Sequence, residues 1–451
     1  MIIGAENNED MPYPGRTGRR FAASDIRSLF SVIVPAMIFA ALMISAQPFA
    51  TQSTIQPSSD AGGDTVNQIG YSLLGMMALA GMVMIAVPRR VAAVLDPAWL
   101  FVITILVVAA LISPDPSSAL RSLAFTVIVV MTCIGILTIP QNENQLRQVF
   151  LIGVGAAIAI SYFGVVFQPD LAVHSAASNE PQHVGLWRGH FSHKNIAGPV
   201  MAVFVLFGIY FMRSGNRVSG ALITLLATIF VLQTGSKTTI GFLPVAIGVV
   251  LIGAVFGSRL LTFALSVLLI AAIAALTVGT VVWKPMAEAA AILIDDPTFT
   301  GRTTLWEFGI ENIANRFWTG YGYDGFWLKP VVTRSDIAFD TPWDYRFIVH
   351  GHNNFIDILL MAGVPAGFFL IVILCLRPLV AFVRSARYPA NRHLADLFAM
   401  ILIFAILNSQ LESFWFRRAD PIWILMVLAI FGLRLTSRLP FSGGYRLLGP
   451  A

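Results

Sequence analysis

Four short runs in this sequence carry the residue types that could hold a phosphate or move a proton. The first is Trp187-Arg188-Gly189-His190-Phe191-Ser192-His193-Lys194-Asn195. Arg188 can grip a phosphate bidentately. Asn195 is the expected N-cap of the helix that follows, and the amides at that helix start favour an anion. Against this stands a plainer reading, a loop whose basic residues meet lipid headgroups. His190 and His193 have a metal-like spacing, but no carboxylate or cysteine accompanies them, and no metal is expected. The second run, Gln233 to Thr239, surrounds Lys237 with glycine and hydroxyls. It lacks the spacing of a nucleotide phosphate loop. A lysine at a helix start, facing the same cavity as Arg188, is the expectation.

The third run begins at Gly301-Arg302. Thr304 with Glu307 matches a capping box, and Trp306, Ile310, Ile313 and Phe317 recur at helical spacing. An amphipathic helix on the membrane surface is expected there. A cation at its N-terminus is unfavourable for the helix dipole unless an anion sits beside it. Tyr321 and Tyr323 among glycines suit stacking on sugar rings, or else a tight-turned interfacial loop. The fourth run is His350-Gly351-His352-Asn353-Asn354-Phe355-Ile356-Asp357. A neutral His352 could take a proton from a sugar hydroxyl, whereas the plainer role is interfacial hydrogen bonding. Downstream, Glu412 interrupts an apolar stretch near Arg417 and Arg418, and is expected to pair with an arginine as a structural partner.

These runs punctuate a very apolar chain. Of its 451 residues 57% are hydrophobic and 12% charged, with a mean hydropathy of +0.76. Soluble domains carry about 25% charged residues. Long unbroken apolar runs without period-2 alternation exclude a β-barrel and predict an all-α polytopic membrane protein of about twelve spans. The expected order is an N-terminal tail (1–28), nine spans (29–282), an extracytoplasmic loop (283–353), three spans (354–436) and a C-terminal tail (437–451). Arginine placement puts both tails in the cytoplasm. All four lysines, Lys194, Lys237, Lys284 and Lys329, then fall outside, more basic charge than orientation requires. Cys133 and Cys375 lie within spans and predict no disulfide framework. Nothing resembles a nucleic-acid footprint, and no internal repeat favours a transporter.

The order Arg188-Gly-x-x-x-His193-Lys194-Asn195, Gly301-Arg302 with Trp306, Gly320-Tyr-Gly322 and His352-Asn353 resembles the O-antigen ligase and polysaccharide polymerase superfamily. His352-Asn353 followed after nine residues by Gly363-Val364-Pro365-Ala366 is similar to its ligase motif, with Ala366 where Gly, Thr or Tyr is usual. The histidine-lysine-asparagine run is most similar to exopolysaccharide polymerases of the ExoQ type. The resemblance implies inverting glycan transfer from a polyprenyl diphosphate carrier at the outer face of the bacterial inner membrane, with no metal or other cofactor. Arg188 and Arg302, helped by Lys194 or Lys237, would neutralise the diphosphate. His352 would be the general base, Asn353 would orient the acceptor, and His193, Asn195, Tyr321 and Tyr323 would contact substrate. A flippase and a chain-length regulator would be pathway partners. Polymerisation of repeat units is the preferred expectation, ligation to a lipid A-core acceptor the second, and transport of an anionic solute the third.

Overall fold

The computed structural model describes residues 23–44, 47–49, 65–175, 181–293, 296–334 and 344–441. The polar loop 49–67, the first tail and the last ten residues fall mostly outside these, and with them Arg16, Arg19, Arg20 and Arg446.

The described residues form helices throughout: α1 (Ala23–Ile44), α2 (Thr65–Met84), α3 (Pro88–Val94), α4 (Pro97–Leu111), α5 (Pro116–Thr138), α6 (Glu143–Phe167) and the single turn α7 (Pro169–Ala172). After the first polar run come α8 (Lys194–Arg213), α9 (Arg217–Gln233), α10 (Lys237–Val255) and α11 (Arg259–Leu276), then α12 (Val278–Val282) and α13 (Lys284–Leu293). The large loop holds α14 (Arg302–Asn315) and α15 (Pro330–Thr333), and the chain ends in α16 (Asn354–Ile371), α17 (Arg377–Arg384), α18 (Arg392–Asn408) and α19 (Pro421–Arg438). Ten of the described helices are long and apolar enough to cross a membrane. The pair α3–α4, bent by 57°, supplies an eleventh, and the 17-residue α9 corresponds to the remaining expected span. The protein is an all-α polytopic membrane protein.

Local chemistry fixes where several spans begin. Asp96-Pro97, Asp115-Pro116 and Asp420-Pro421 each place a carboxylate at the N-cap and proline at the first helical position. The aspartates accept from the amides of Ala98, Ser118 and Ile422. Each such cap contributes about 1 kcal/mol, and proline there forfeits no hydrogen bond. Burial then sorts the helices. The spanning windows of α18 and α19 are 83% buried and that of α8 78%, against 11% for α11. The first three form the centre and the last faces outward, consistent with its apolar but unpacked surface. Phe39, Phe150 and Phe207 join α1, α6 and α8 with ring centroids 5.0–6.0 Å apart.

The large loop is sewn onto α16. That helix breaks at Gly363, whose φ of 75° lies in the left-handed region. A Cβ there would also meet the Trp318 backbone at 2.6 Å, so only glycine fits. The break frees carbonyls that accept from the loop: Tyr321 N–H donates to Leu360 O (2.7 Å) and Gly322 N–H to Met361 O (3.0 Å). In the other direction, Val364 N–H donates to Phe317 O (2.7 Å). The glycine of the ligase-like motif is thus a docking notch for the loop.

Two expectations for α14 need correcting. The Thr304–Glu307 capping box does not form, because the helix starts earlier, after Gly301. Asp296 accepts from the Thr298 and Thr300 amides, Thr298 Oγ1 accepts from Gly301 N–H, and Thr304 Oγ1 donates to Gly301 O. The apolar stripe also faces protein. Leu305, Trp306, Phe308 and Ile313 are buried in a cluster with Phe326, Tyr345, Ile356 and Leu360, while Phe317 lies beyond the helix and is exposed.

Candidate functional site

The loop before α16 is gripped at one peptide. Trp306 Nε1–H donates to Gly351 O (3.1 Å), and Gly351 N–H donates to both Asp357 oxygens (3.1 and 3.2 Å). Trp327 Nε1–H donates to the same carboxylate at 2.7 Å and holds it in place. A Cβ on Gly351 would lie 2.7 Å from Asp357 Oδ1, so the close approach requires glycine. The next residue, His352, has φ +50°, sparsely populated for a side-chain-bearing residue. Such conformations cost about 1–3 kcal/mol and persist where the surroundings over-determine them, commonly at functional sites.

His352 then meets a residue that sequence reasoning treated as peripheral. Its Nδ1 lies 3.1 Å from Glu412 Oε2, and the other carboxylate oxygen accepts from Arg302 Nη2 at 2.8 Å. Arg302 Nη1 also donates to Leu411 O. One carboxylate therefore bridges the two residues expected to carry the chemistry. Burial pushes the Glu412 carboxyl upward, but Arg302 and then His352 outweigh it and hold it well below the usual range. The neighbouring His350 is driven well below its ordinary value by burial, with the His352 and Arg417 charges adding to the effect. With Glu412 ionised, Nδ1–H of His352 donates to it, and Nε2 is left with the lone pair. That is the tautomer a general base needs.

The Asn353-Asn354 pair explains how Glu412 arrives. Asn353 Oδ1 caps α16 by accepting from Phe355 and Ile356 N–H, and its Nδ2 donates to Gln410 O. Asn354 N–H donates to Ser409 O, while its Oδ1 accepts from Phe414 and Trp415 N–H. Together they pin the 409–415 turn against the start of α16. This corrects the expected role of Asn353: it is fully buried, and both ends of its amide serve the scaffold rather than an acceptor sugar. The anion expected beside Arg302 is likewise supplied by the protein itself. Tyr323 is not a stacking platform, since its ring is buried and its hydroxyl donates to Phe416 O (2.8 Å) and lies 3.0 Å from Thr126 Oγ1. Tyr321 is wedged against Phe326, with its hydroxyl donating to Asn312.

The first polar run forms a second group. Residues 172–174 pair with 185–189: Arg188 and Gly189 N–H both donate to Ala172 O, and His174 pairs with Leu186 and Gly185 through the backbone. Arg188 is buried, its Nη1 donating to Phe191 O and Ser192 O, and burial lowers its pKa. His193, not Asn195, caps α8, with Nδ1 accepting from Asn195 N–H at 3.1 Å. Both residue types can cap, but the histidine precedes the first turn and reaches it first. His190 is structural. Its ring lies 2.7 Å from Ser161 Oγ and 3.0 Å from Met43 O, and burial drives it down to about 4.

Among the described residues, His174, His183 and His193 could hold a metal ion, their ligating atoms lying within 4.8 Å of one another. Two of these rings already accept backbone amides of the first turn of α8: Lys194 N–H on His174 Nε2 and Asn195 N–H on His193 Nδ1. A metal ligated through those two nitrogens would displace both amides, whereas the opposite ring nitrogens, His174 Nδ1 and His193 Nε2, make neither of these bonds. Lys237 begins α10 as expected and is exposed. Asp296, whose carboxyl is held below the usual range first by its hydrogen bond from Thr298, feels the Lys237 charge only as the smallest of its influences.

A family model described as O-antigen ligase matches residues 220–372, from α9 through the end of α16. The match includes Lys237, Arg302 and His352; the Arg188–Asn195 run and Glu412 lie outside it. No curated protein matches the chain. Ten apolar spans and a loop docked at Gly363 frame the matched segment, and over residues 220–372 this membrane protein is similar to the O-antigen ligase family.

Proposed function

We infer that the protein transfers glycan from a lipid-diphosphate-linked oligosaccharide to a sugar hydroxyl, extending a polysaccharide repeat by repeat at the outer face of the inner membrane. The observation that carries this reading is the Arg302–Glu412–His352 chain. His352 Nε2 takes the proton of the acceptor hydroxyl as its oxygen attacks the anomeric carbon. The bond from that carbon to the carrier diphosphate breaks on the opposite face, inverting the configuration, and the diphosphate leaves. Glu412 balances the imidazolium that forms, and Arg302 keeps Glu412 ionised and in place. Arg188, Lys194 and Lys237 attract the diphosphate and stabilise its growing charge, an effect strongest where water is excluded. The donor is already activated, so no nucleotide takes part. A flippase delivering the donor and a chain-length regulator are the partners this reading implies.

Ligation to a lipid A-core acceptor is the second reading, favoured by the description of the matching family. Transport is supported less, because the polar residues gather at helix ends rather than at mid-span. Purified protein in liposomes, supplied with a polyprenyl-diphosphate oligosaccharide with and without lipid A-core, separates these. A ladder without lipid A-core, absent in His352→Ala, supports polymerisation. Product only with lipid A-core assigns ligation. No product in either case, with competent substrate, refutes glycan transfer.

A further inference from the structure

At the end of the bundle opposite His352 lies a cavity of about 570 Å³. It opens between the start of α4, the C-terminal part of the α16–α17 span and the end of α19. Its wall is apolar, with Trp99, Ile373, Leu376, Val380, Ile430 and Phe431. Its rim carries Arg377, Arg384, Arg387, Arg434 and Arg438, against the single acid Asp96. That acid is fully engaged: Arg377 donates to both its oxygens (2.8 and 2.9 Å), and Arg434 Nη1 lies 2.9 Å from Oδ2. No carboxylate among the described residues pairs with Arg384, Arg387 or Arg438. The wall residues Ile373 and Leu376 belong to a π turn, Val372–Leu376, a local widening that is frequent at functional sites.

Helix orientation alone asks for basic residues at this end but not for five around one apolar hollow. Uncompensated arginines at the mouth, above aromatic and aliphatic walls, match a molecule with a phosphate at one end and a hydrocarbon chain at the other. We propose that this cavity binds the headgroup of an anionic phospholipid, with the phosphate among Arg384, Arg387 and Arg438 and the first methylenes against Trp99 and Phe431. Basic pockets between membrane helices take such headgroups. The volume suits one headgroup and the start of its chains.

The test is native mass spectrometry of the full-length protein titrated with phosphatidylglycerol or phosphatidylcholine. Wild type should retain phosphatidylglycerol preferentially. The Arg384→Gln/Arg387→Gln/Arg438→Gln variant should lose about a hundredfold in that affinity, from roughly fivefold per arginine. The matching triple lysine variant should keep most of it, which separates charge from misfolding. Inorganic phosphate at equal concentration should not displace the lipid, and displacement would assign the cavity to a soluble anion instead. Equal retention of phosphatidylglycerol by wild type and the glutamine variant would overturn the proposal.

Discussion

Replacing Glu412 with glutamine tests the heart of the site at constant shape. The carboxylate receives Arg302 Nη2 at 2.8 Å and faces His352 Nδ1 at 3.1 Å, with only 15% of its side chain exposed. A glutamine can offer its carbonyl to Arg302, whose N–H groups can only donate. Its NH₂ then points at His352 Nδ1, which must become the acceptor. The imidazole proton moves to Nε2, where the base needs a lone pair. The same carboxylate-to-amide change in the serine protease triad lowers turnover by about 10⁴-fold with the geometry intact. Glu412→Gln should therefore lower glycan transfer in proteoliposomes by about 10³- to 10⁴-fold, with normal membrane levels. Combined with His352→Ala it should add almost nothing, because the two act as a unit. The held-down carboxyl adds a second readout. Its folded value is lowered, so its stabilising contribution is full above the unfolded value of 4.5 and fades as pH falls towards the folded one. Wild type should lose thermal stability below about pH 4.5, and the glutamine variant should lose less. Activity above a tenth of wild type, or a double variant far worse than His352→Ala, would refute the orienting role.

Asp357→Asn should leave the fold intact but slow transfer roughly ten- to a hundredfold, since an NH₂ replaces the Oδ2 that accepts from Gly351 N–H, the negative charge that both donors face is lost, and the His352 turn loosens. Unchanged turnover in the same liposome assay would sink that link. Tyr323→Phe should lower stability by about 1–2 kcal/mol by removing the hydroxyl that donates to Phe416 O, with no change in apparent substrate affinity; a weakened affinity would reinstate stacking. Burial raises the Asp420 carboxyl from 3.8 to about 6 against the pull of Arg417, so its ionisation costs stability above about pH 6 and nothing below about pH 4. Asp420→Asn keeps the cap of α19 and should gain up to about 3 kcal/mol at pH 7.5, vanishing near pH 4 in a thermal melt.

The spans were legible because a helix in lipid must be apolar over its whole length, so each announces itself without its neighbours. Arg302 and His352 were legible as candidates because a charge opening a loop helix and an imidazole just before a span stand out against that background. Glu412 stood out equally, yet its bond partners lie 110 and 60 residues away, and nothing local says which arginine it will meet. The aromatic residues misled for a related reason. Tyr323 reads as interfacial from its glycine neighbours, but its fate is decided by Thr126 and Phe416 on other elements. Asn353 read as orienting the acceptor beside His352, whereas its position before a helix makes capping the stronger demand.

The notch at Gly363 bears on traffic through the protein. A loop held to α16 through the amides of Tyr321, Gly322 and Val364 cannot lift like a hinged cover without parting three backbone bonds together. On the proposed reading, and with that posture kept through the cycle, donor and growing glycan would reach His352 without a cover opening and closing. The pace of synthesis would then follow how quickly fresh carrier drifts in sideways through the bilayer, and product length would reflect that supply as much as anything in the protein itself.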